Sequence, residues 1–444
     1  MVRVRFAPLA LSVLLVGCFA SDGEQDVDVT PLAATGAVVQ LAPLPPIRFG
    51  GDPTRIGFEP IPLEGGEFPV LTSFAFLPNS DEFLALNRYG KVGHFRLEAN
   101  RAVMIDSFQI PAVFVGGDCA ASSIILDPDF VSNRLFYVGY CIDAQYNVVK
   151  RYTMSSVDFG ETLYTAANVL AVGDPKADTP QHSIGTIAFG PDGAMWANIG
   201  ERHRDVNAQD LTNELGKVVR FAPLKKANVS GYGLVEGNAF PNDPQRSGLV
   251  YAYGLRNPWR GAFDEKGRYW VADARSTSYE EVNVVTKPGQ NFGWPMSDGP
   301  LCRTGSCATF TAPVRQWDMS ATHAFILADP LAKEGSSFRS AWVGIEYRPG
   351  EQDRYNGFLT GKMLYGDFYL GFVRGVEISA TGAVISDQHL GHLDLPVAWQ
   401  QGRDGYLYAG TMFASYDRDR DSEGDANLLP QAQQGQLWRA VPLP

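Results

Sequence analysis

The amino-acid sequence predicts an all-β fold, and more closely a six-bladed β-propeller. A hairpin pattern recurs six times: an apolar strand, a turn containing Pro, Asp or Gly, and an aromatic-rich strand. A further strand follows every hairpin. The 46 glycines and 29 prolines suit many tight turns. Helical periodicity is scarce, and residues 208–215 are the best short helical candidate.

The six repeats are spaced irregularly, as blades with loops of different lengths would be. The hairpins span residues 74–87, 125–140, 187–196, 262–270, 345–367 and 397–408. The strands that follow them span residues 90–96, 147–152, 216–221, 281–285, 371–377 and 435–439. Twisted sheets can bury their faces against each other, and closing the ring removes most exposed strand edges. An open array of β-sandwiches, the alternative, explains the six-fold count poorly.

Composition is that of a globular protein and narrows the choice of partners. Of the 444 residues, 45% are hydrophobic and 19% are charged, which excludes a disordered or fibrous chain. Lys and Arg number 37 and Asp and Glu 49, so the formal net charge is −12. Because phosphate groups repel an acidic surface, the charge argues against nucleic acid or anionic lipid as the main partner.

The N-terminus has the pattern of an export signal. Arg3 and Arg5 precede an apolar run that is too short to span a bilayer. A cysteine, Cys18, follows this run as in the lipobox of bacterial lipoproteins. Residues 1–17 are therefore predicted to be a lipoprotein signal peptide, with Cys18 lipidated; an ordinary signal peptide with an incidental cysteine is the alternative.

The predicted processing divides the chain into three parts. After the signal peptide, residues 18–45 lack periodicity and are predicted to be a lipid-anchored flexible tether. Residues 46–444 are predicted to form the propeller. Phe19, rather than Asp, follows the lipidated position, which favours the outer membrane. We therefore expect an exported protein that faces the periplasm or the cell surface and contacts the membrane only through its lipid anchor.

Four cysteines remain after Cys18, namely Cys119, Cys141, Cys302 and Cys307. An even number in an exported protein predicts two disulfides. A Cys119–Cys141 bond would join one strand pair, and a Cys302–Cys307 bond would close a tight loop. Three pairings are possible, and the sequence does not exclude the other two.

An ordered set of motifs occupies the middle of the chain. His-Ser-Ile-Gly-Thr-Ile-Ala-Phe-Gly-Pro-Asp-Gly stands at residues 182–193, Tyr-Gly-Leu-Arg-Asn-Pro-Trp-Arg at 253–260, and Gly-Gln-Asn-Phe-Gly-Trp-Pro at 289–295. The set resembles the glucose/sorbosone dehydrogenase family, which includes soluble pyrroloquinoline-quinone (PQQ) sugar dehydrogenases and shares its domain with hedgehog-interacting proteins. The resemblance covers about residues 50–440. It implies a six-bladed propeller, in agreement with the repeats.

The resemblance implies a PQQ-dependent oxidation of an aldose-type sugar at its anomeric carbon. Such a reaction needs a base for the hydroxyl proton and an acceptor for the hydride. His182 matches the catalytic base of the family, and Arg256 matches the cation that polarises the quinone. Asn257 is expected to contact the cofactor. Arg256 and Asn257 could instead have a purely structural role around the central channel.

Further cofactor contacts are expected from Glu201, Asp118 and Arg374. Asp118 stands where the family often has Glu or Gln facing the channel. The cations that grip the quinone in the family are largely missing from the matching stretches, residues 369–374 and 389–395, so Arg374 or Lys362 is the candidate replacement.

Calcium is the second expected ligand, because the three PQQ carboxylates suit a hard cation. The family binds it near the segment that contains Asp273, Glu280 and Glu281, which are predicted metal ligands; a solvated acidic loop is the alternative. A second acidic run at residues 417–425 alternates carboxylates with Arg and is interpreted as an exposed hairpin insertion in the last blade, with calcium binding as the alternative.

Two other functions are also compatible with the sequence. The missing cations favour a non-catalytic cell-surface propeller that binds a glycan or a protein. A calcium-dependent hydrolase of lactones or esters would need carboxylates that converge on the channel, for which Glu201, Asp118 and Asp273 are candidates. The sequence does not identify the sugar or the electron acceptor.

Overall fold

The structure, a computed structural model, describes residues 39–40, 54–275, 278–318, 339–350, 352–413 and 434–443. These residues form six β-sheets around a central channel, which confirms the predicted six-bladed β-propeller. Residues 1–17, Cys18, most of the predicted tether and the acidic run at 417–425 lie outside the described residues.

Each blade is built around four antiparallel strands, and the blades are numbered in the chain order of their innermost strands. From the channel outward, blade 1 contains Leu71–Phe76, Glu82–Asn87, Lys91–Glu98 and Arg101–Gln109, blade 2 contains Ala121–Leu126, Leu135–Cys141, Tyr146–Thr153 and Ala167–Gly173, and blade 3 contains Ile184–Phe189, Met195–Ile199, Lys217–Pro223 and Val250–Tyr253. Blade 4 contains Pro258–Phe263, Tyr269–Asp273, Tyr279–Val285 and Arg315–Asp318, blade 5 contains Ala341–Glu346, Met363–Asp367, Phe372–Ile378 and Val384–His392, and blade 6 contains Pro396–Gln401, Leu407–Thr411, Gln436–Pro442 and Ile56–Ile61.

Several short strands and helices lie outside the four-stranded core of the blades. Leu63–Glu64 extends blade 1, while Tyr232–Gly233 and Gln290–Asn291 extend blade 3. Val39–Gln40, Leu301–Cys302 and Ser297–Asp298 form a small separate sheet, so two residues of the predicted tether pair with the connection between the third and fourth strands of blade 4. The helical segments are Phe130–Asn133, Phe159–Thr165 and Val206–Gln209. The helix predicted at 208–215 is thus shorter and begins earlier.

The outermost strand of each blade is the element that the sequence repeats did not reveal. In Arg101–Gln109 only two of the nine residues are buried, so the strand has no continuous apolar pattern. Its inner edge pairs with Lys91–Glu98 along the whole strand, whereas its outer edge pairs only with the two residues Leu63–Glu64. The three strands predicted for every repeat are present, and a fourth is added outside them.

The ring is closed by the two ends of the propeller chain. Ile56–Ile61 pairs antiparallel with Gln436–Pro442, with Ile56 opposite Pro442 and Ile61 opposite Leu437. This pairing completes blade 6 and covers a strand edge that would otherwise be exposed. Innermost strands of adjacent blades also contact one another all round the channel.

Close packing between blades depends on aromatic residues and on one tight backbone approach. The rings of Trp342 in blade 5 and Trp399 in blade 6 stack with centroids 5.4 Å apart. At Gly185 in blade 3, a Cβ atom would lie 2.2 Å from the carbonyl oxygen of Trp259 in blade 4. Only glycine allows the innermost strands of these two blades to lie so close.

One end of the ring, the upper face, collects loops from all blades. In every blade the start of the innermost strand pairs with the end of the second strand, as Ile184 with Ile199 and Pro258 with Asp273. Residues that precede the innermost strands therefore meet residues that follow the second strands. Side chains far apart in sequence are brought together at this face.

Both favoured disulfides are present. Cys119–Cys141 joins the start of the innermost strand of blade 2 to the end of its second strand, with Cα atoms 5.4 Å apart. Cys302–Cys307 closes a short loop, with Cα atoms 5.8 Å apart. The described part of the chain holds no apolar helix with the length that a bilayer crossing requires.

Candidate active site

His182 lies at the centre of the upper face and is buried, with 4% of its surface exposed. It precedes the innermost strand of blade 3 and has a φ of 49°, which non-glycine residues rarely adopt. Its backbone N–H donates to Oδ2 of Asp118 at 2.9 Å, and the Ser183 hydroxyl donates to the Asp118 carbonyl at 3.0 Å. Contacts from blade 2 thus hold an uncommon backbone conformation that aims the imidazole.

The imidazole of His182 forms a short contact with the carboxyl group of Glu201. Nδ1 lies 2.6 Å from Oε2, and only 1% of Glu201 is exposed. Burial lowers the pKa of His182 well below its usual value, and the Arg256 guanidinium lowers it further. Burial raises the pKa of Glu201 to about 8. At neutral pH the pair is therefore uncharged overall: one proton lies between Nδ1 and Oε2, and a second is on Nε2, the ring atom left for a ligand.

Arg256 and Asn257 form the loop that precedes the innermost strand of blade 4. The Arg256 carbonyl accepts the backbone N–H of Glu201 at 2.9 Å, which couples this loop to the His182 pair. The Arg256 guanidinium donates to the Ala274 carbonyl at 3.2 Å, and its centre lies 5.6 Å from the Trp294 ring centroid. The Asn257 amide donates to Oδ2 of Asp118 at 3.4 Å.

Two buried oxygens of this site have no hydrogen-bond partner among the described residues. They are Oδ1 of Asp118 and Oε1 of Glu201. A buried acceptor without a partner is costly, so both atoms are suited to hydroxyl groups of a bound ligand. The exposed imidazole of His203 lies beside them, with its ring centroid 5.3 Å from that of His182.

A small cavity in the channel adjoins the site. Its volume is about 40 Å³, and its lining includes Asp118, Arg88, Arg260, Trp259 and Phe368. This space is enough for one or a few water molecules and far too small for a tricyclic quinone. The two arginines of the lining were not among the predicted site residues, although Arg260 ends the Gly-Leu-Arg-Asn-Pro-Trp-Arg motif.

The three predicted calcium ligands do not form an open oxygen site, which corrects that prediction. Asp273 accepts the backbone N–H groups of Arg256 and Asn257, and Glu280 accepts those of Arg275 and Ala341. Glu281 and Asp273 both pair with the Arg275 guanidinium at 2.9 Å. Their oxygens are satisfied by an internal cation and by amides rather than turned to solvent. No group of three or more metal-binding side chains occurs within the described ranges.

Arg374 is also not brought to the site, in contrast to the expectation that it holds a cofactor. It lies within the third strand of blade 5, fully buried, and its Nε pairs with Oδ1 of Asp387 at 2.8 Å. Asp387 also pairs with Arg315 of blade 4 at 2.6 Å. The side chain of Arg374 points between blades because the even spacing of strand residues places it on a blade face.

Fold and site together define a propeller with an acid–base pair and a guanidinium at the mouth of its channel. The chain belongs to the glucose/sorbosone dehydrogenase family. The sequence profile described as Glucose / Sorbosone dehydrogenase matches residues 68–328, which is more than half of the chain.

Individual relatives agree with this membership. Aldose sugar dehydrogenase YliI of Escherichia coli (strain K12) is 24% identical over 346 residues, covering 76% of this chain and 86% of that protein. HIPL1 protein of Arabidopsis thaliana is 33% identical over 134 residues, which is 27% of this chain and 19% of that protein. The second likeness is thus confined to one segment of each protein.

Solved structures support the fold. The PQQ-bound aldose sugar dehydrogenase of Streptomyces coelicolor has a TM-score of 0.62 and 21% identity, covering 88% of this chain and 100% of that chain. The apo-form of the soluble aldose sugar dehydrogenase of Escherichia coli has a TM-score of 0.66 and 19% identity, with coverage of 87% and 100%.

The donor set at the upper face fits a flat anionic quinone in its chemistry. Arg256 offers a buried guanidinium and Asn257 an amide, next to an uncharged imidazole. The channel cavity lined by Asp118 and Arg260 is too small for such a group. Arg256 and Asn257 are the residues that would hold it.

Proposed function

We propose that this protein is a PQQ-dependent dehydrogenase that oxidises an aldose-type sugar at its anomeric carbon. The observation that carries the proposal is the buried His182–Glu201 pair, with its 2.6 Å contact, directly beside the loop of Arg256. A base, the group that orients it and a cation are the parts that the oxidation of an alcohol requires of a protein.

His182 would act as the general base. Once the pair has lost its proton, Nε2 would accept the proton of the anomeric hydroxyl, because Nδ1 is engaged by Glu201. Glu201 would orient the ring and stabilise the positive charge that develops on it. When bound, PQQ supplies the two-electron acceptor for the hydride from the anomeric carbon. Arg256 would contribute positive charge beside the group that is reduced.

The polar atoms around His182 favour a polyhydroxy substrate. Oδ1 of Asp118 and Oε1 of Glu201 are buried acceptors that could each receive a sugar hydroxyl. A site built to receive hydroxyls discriminates strongly against ligands that lack them, because its acceptors would stay unpaired. The family membership and the names of the relatives agree with a small sugar as substrate.

A non-catalytic propeller that binds a glycan or a protein is the second candidate. The observation in its favour is the position of Arg374, which is bound to Asp387 inside blade 5 and does not replace the missing cofactor cations. The hydrolase reading has less support, because Asp273 is engaged by backbone amides and by Arg275 instead of joining Asp118 and Glu201.

The location of the protein is part of the proposal. The pattern of residues 1–18 favours an exported lipoprotein at the outer membrane, facing the periplasm or the cell surface. The two disulfides agree with an oxidising compartment. Labelling with a radioactive fatty acid, compared between the wild type and Cys18→Ala, would test the anchor.

Reconstitution tests the activity. The purified full chain would be titrated with PQQ, with and without added calcium, and dye reduction would be followed across a panel of aldoses. We expect saturable quinone binding and sugar-dependent dye reduction that His182→Ala abolishes. A folded protein that binds no quinone at micromolar concentration would refute the dehydrogenase, and binding to glycan arrays would then test the second candidate.

A further inference from the structure

A fully buried arginine, Arg275, stands at the centre of the acidic cluster of blade 4. Its Nε lies 2.9 Å from Oδ2 of Asp273, and its Nη2 lies 2.9 Å from Oε2 of Glu281. Nη1 donates to the Ser297 carbonyl at 2.7 Å, and the guanidinium lies 5.4 Å from the Trp294 ring centroid. The guanidinium is thus enclosed by two carboxylates, a carbonyl and an aromatic face.

The same carboxylate connects Arg275 with the candidate active site. Asp273 accepts the backbone N–H of Asn257 at 2.8 Å and that of Arg256 at 3.1 Å. Oδ1 of Asp273 thus accepts both backbone N–H groups of the loop, while Oδ2 binds the Arg275 guanidinium and the N–H of Arg256. The backbone of Arg275 adds a second fixed point, because its N–H donates to Glu280 at 2.9 Å.

The opposite end of the cluster is tied to blade 5 and to a neighbouring loop. Oε2 of Glu280 accepts the backbone N–H of Ala341, the first residue of the innermost strand of blade 5, at 2.6 Å. Oε1 of Glu281 accepts the N–H of Gly299 at 2.8 Å. Without a cation, buried carboxylates this close together would repel one another. A single guanidinium offers several donors in a rigid fork and suits this arrangement.

We propose that Arg275 is a positioning residue that holds the Arg256–Asn257 loop through Asp273, serving as the internal cation of the buried carboxylate cluster. The inference deepens the proposed function and rests on it for the role of Arg256. The Arg256 guanidinium and the Asn257 amide keep their places because their backbone amides are pinned to a carboxylate that Arg275 immobilises.

The test compares Arg275→Met with a matched variant at the opposite end of the same blade. Arg268 is also largely buried and pairs with a carboxylate, with Nε 2.6 Å from Oδ2 of Asp264. It lies in the turn between the first two strands of blade 4, far from the upper face. Arg268→Met therefore removes a comparable ion pair without touching the Arg256–Asn257 loop.

Amide hydrogen exchange of the full chain is the first readout. We expect exchange at Arg256 and Asn257 to rise at least about tenfold in Arg275→Met and to stay unchanged in Arg268→Met. Should Arg275→Met fail to fold, Asp273→Asn removes the charge at nearly constant shape and is expected to give the same local increase. Unchanged protection of the loop in a folded Arg275→Met or Asp273→Asn protein would overturn the proposal.

Quinone affinity is the second readout and separates this inference from the proposed function. If the wild type binds PQQ, the affinity for PQQ should fall about tenfold or more in Arg275→Met, because the loop is displaced. In Arg268→Met, compared at similar thermal stability, the affinity for PQQ should stay at the wild-type value. Equal affinities in the two variants would overturn the positioning role. If the wild type binds no quinone, the proposed function fails, while hydrogen exchange still decides whether Arg275 holds the loop.

Discussion

Replacing Glu201 by Gln is the sharpest perturbation of the candidate active site. The change keeps the shape of the side chain and a hydrogen bond to Nδ1 of His182. It removes the negative charge that the pair carries above about pH 8, with Oε2 2.6 Å from Nδ1. When His182 accepts a proton, that charge stabilises the imidazolium by about 4 kcal/mol at an effective dielectric constant of about 20 and a charge separation of about 4 Å. The hydrogen bond between Gln and Nδ1 offsets about 1–1.5 kcal/mol of this lost stabilisation. A net loss of about 2.5–3 kcal/mol corresponds to a rate about 70- to 150-fold lower.

The pH profile of the same variant provides an independent check. The pKa of Glu201 is raised to about 8, so the pair keeps its proton below this pH and loses it above. Since Nε2 can act as a base only after that loss, kcat/KM of the wild type should rise with pH and reach half its maximum at about pH 8. Glu201→Gln has no carboxyl to titrate, so its profile should be flat between about pH 6 and 9.

Dye reduction with PQQ and an aldose, measured from pH 6 to pH 9, is the assay for both effects. Glu346→Gln serves as the control, because Glu346 is buried at the lower part of the channel and accepts an N–H from Glu265. It should leave both the rate and the profile unchanged. A Glu201→Gln protein with more than about a third of wild-type activity at pH 9 and an intact rise near pH 8 would refute the role of this pair.

Three further outcomes concern stability. Replacing Cys119 and Cys141 by Ser opens a loop of 22 residues and should cost about 3 kcal/mol of unfolding free energy in urea titrations; no change would mean that the bond is not formed. Gly185→Ala places a Cβ 2.2 Å from the Trp259 carbonyl and should destabilise by about 3 kcal/mol, so a wild-type melting temperature would contradict the close blade packing. Burial raises the pKa of Glu281 from an ordinary 4.5 to about 7, so the folded state binds more protons than the unfolded state between these values. Stability should therefore fall as pH rises through this window, and Glu281→Gln should flatten the dependence.

Much of the fold follows from local patterns. Alternating apolar residues and Asp-Gly or Pro-Gly turns place the first three strands of every blade, and the six-fold count gives a closed ring. The outer strands are not predicted in this way, because a strand such as Arg101–Gln109 lies at the rim of its blade, with two of nine residues buried, and need not be apolar. The closing strand Ile56–Ile61 has its partner almost 400 residues away, as its pairing with Gln436–Pro442 shows.

The candidate site divides in the same way. His182, Arg256 and Asn257 stand in motifs with fixed spacing, and the structure places them together at the upper face. The acidic segment around Glu280 and Glu281 reads equally well as a metal loop, because a sequence shows charges and not what neutralises them. The sequence did contain a sign of internal ion pairs, because Arg275 stands between Asp273 and Glu280.

The sequence by itself determined the class of fold, the number of blades and the motif residues of the upper face, because turn chemistry and strand periodicity are local properties. Only the tertiary structure decided which charges meet. Arg275 takes the place predicted for a metal ion, and Arg374 turns to Asp387 between blades. Glu201 reaches His182 through a loop of the same blade. Buried charges must find partners within the fold, and those partners are set by the packing of loops that are distant in the chain.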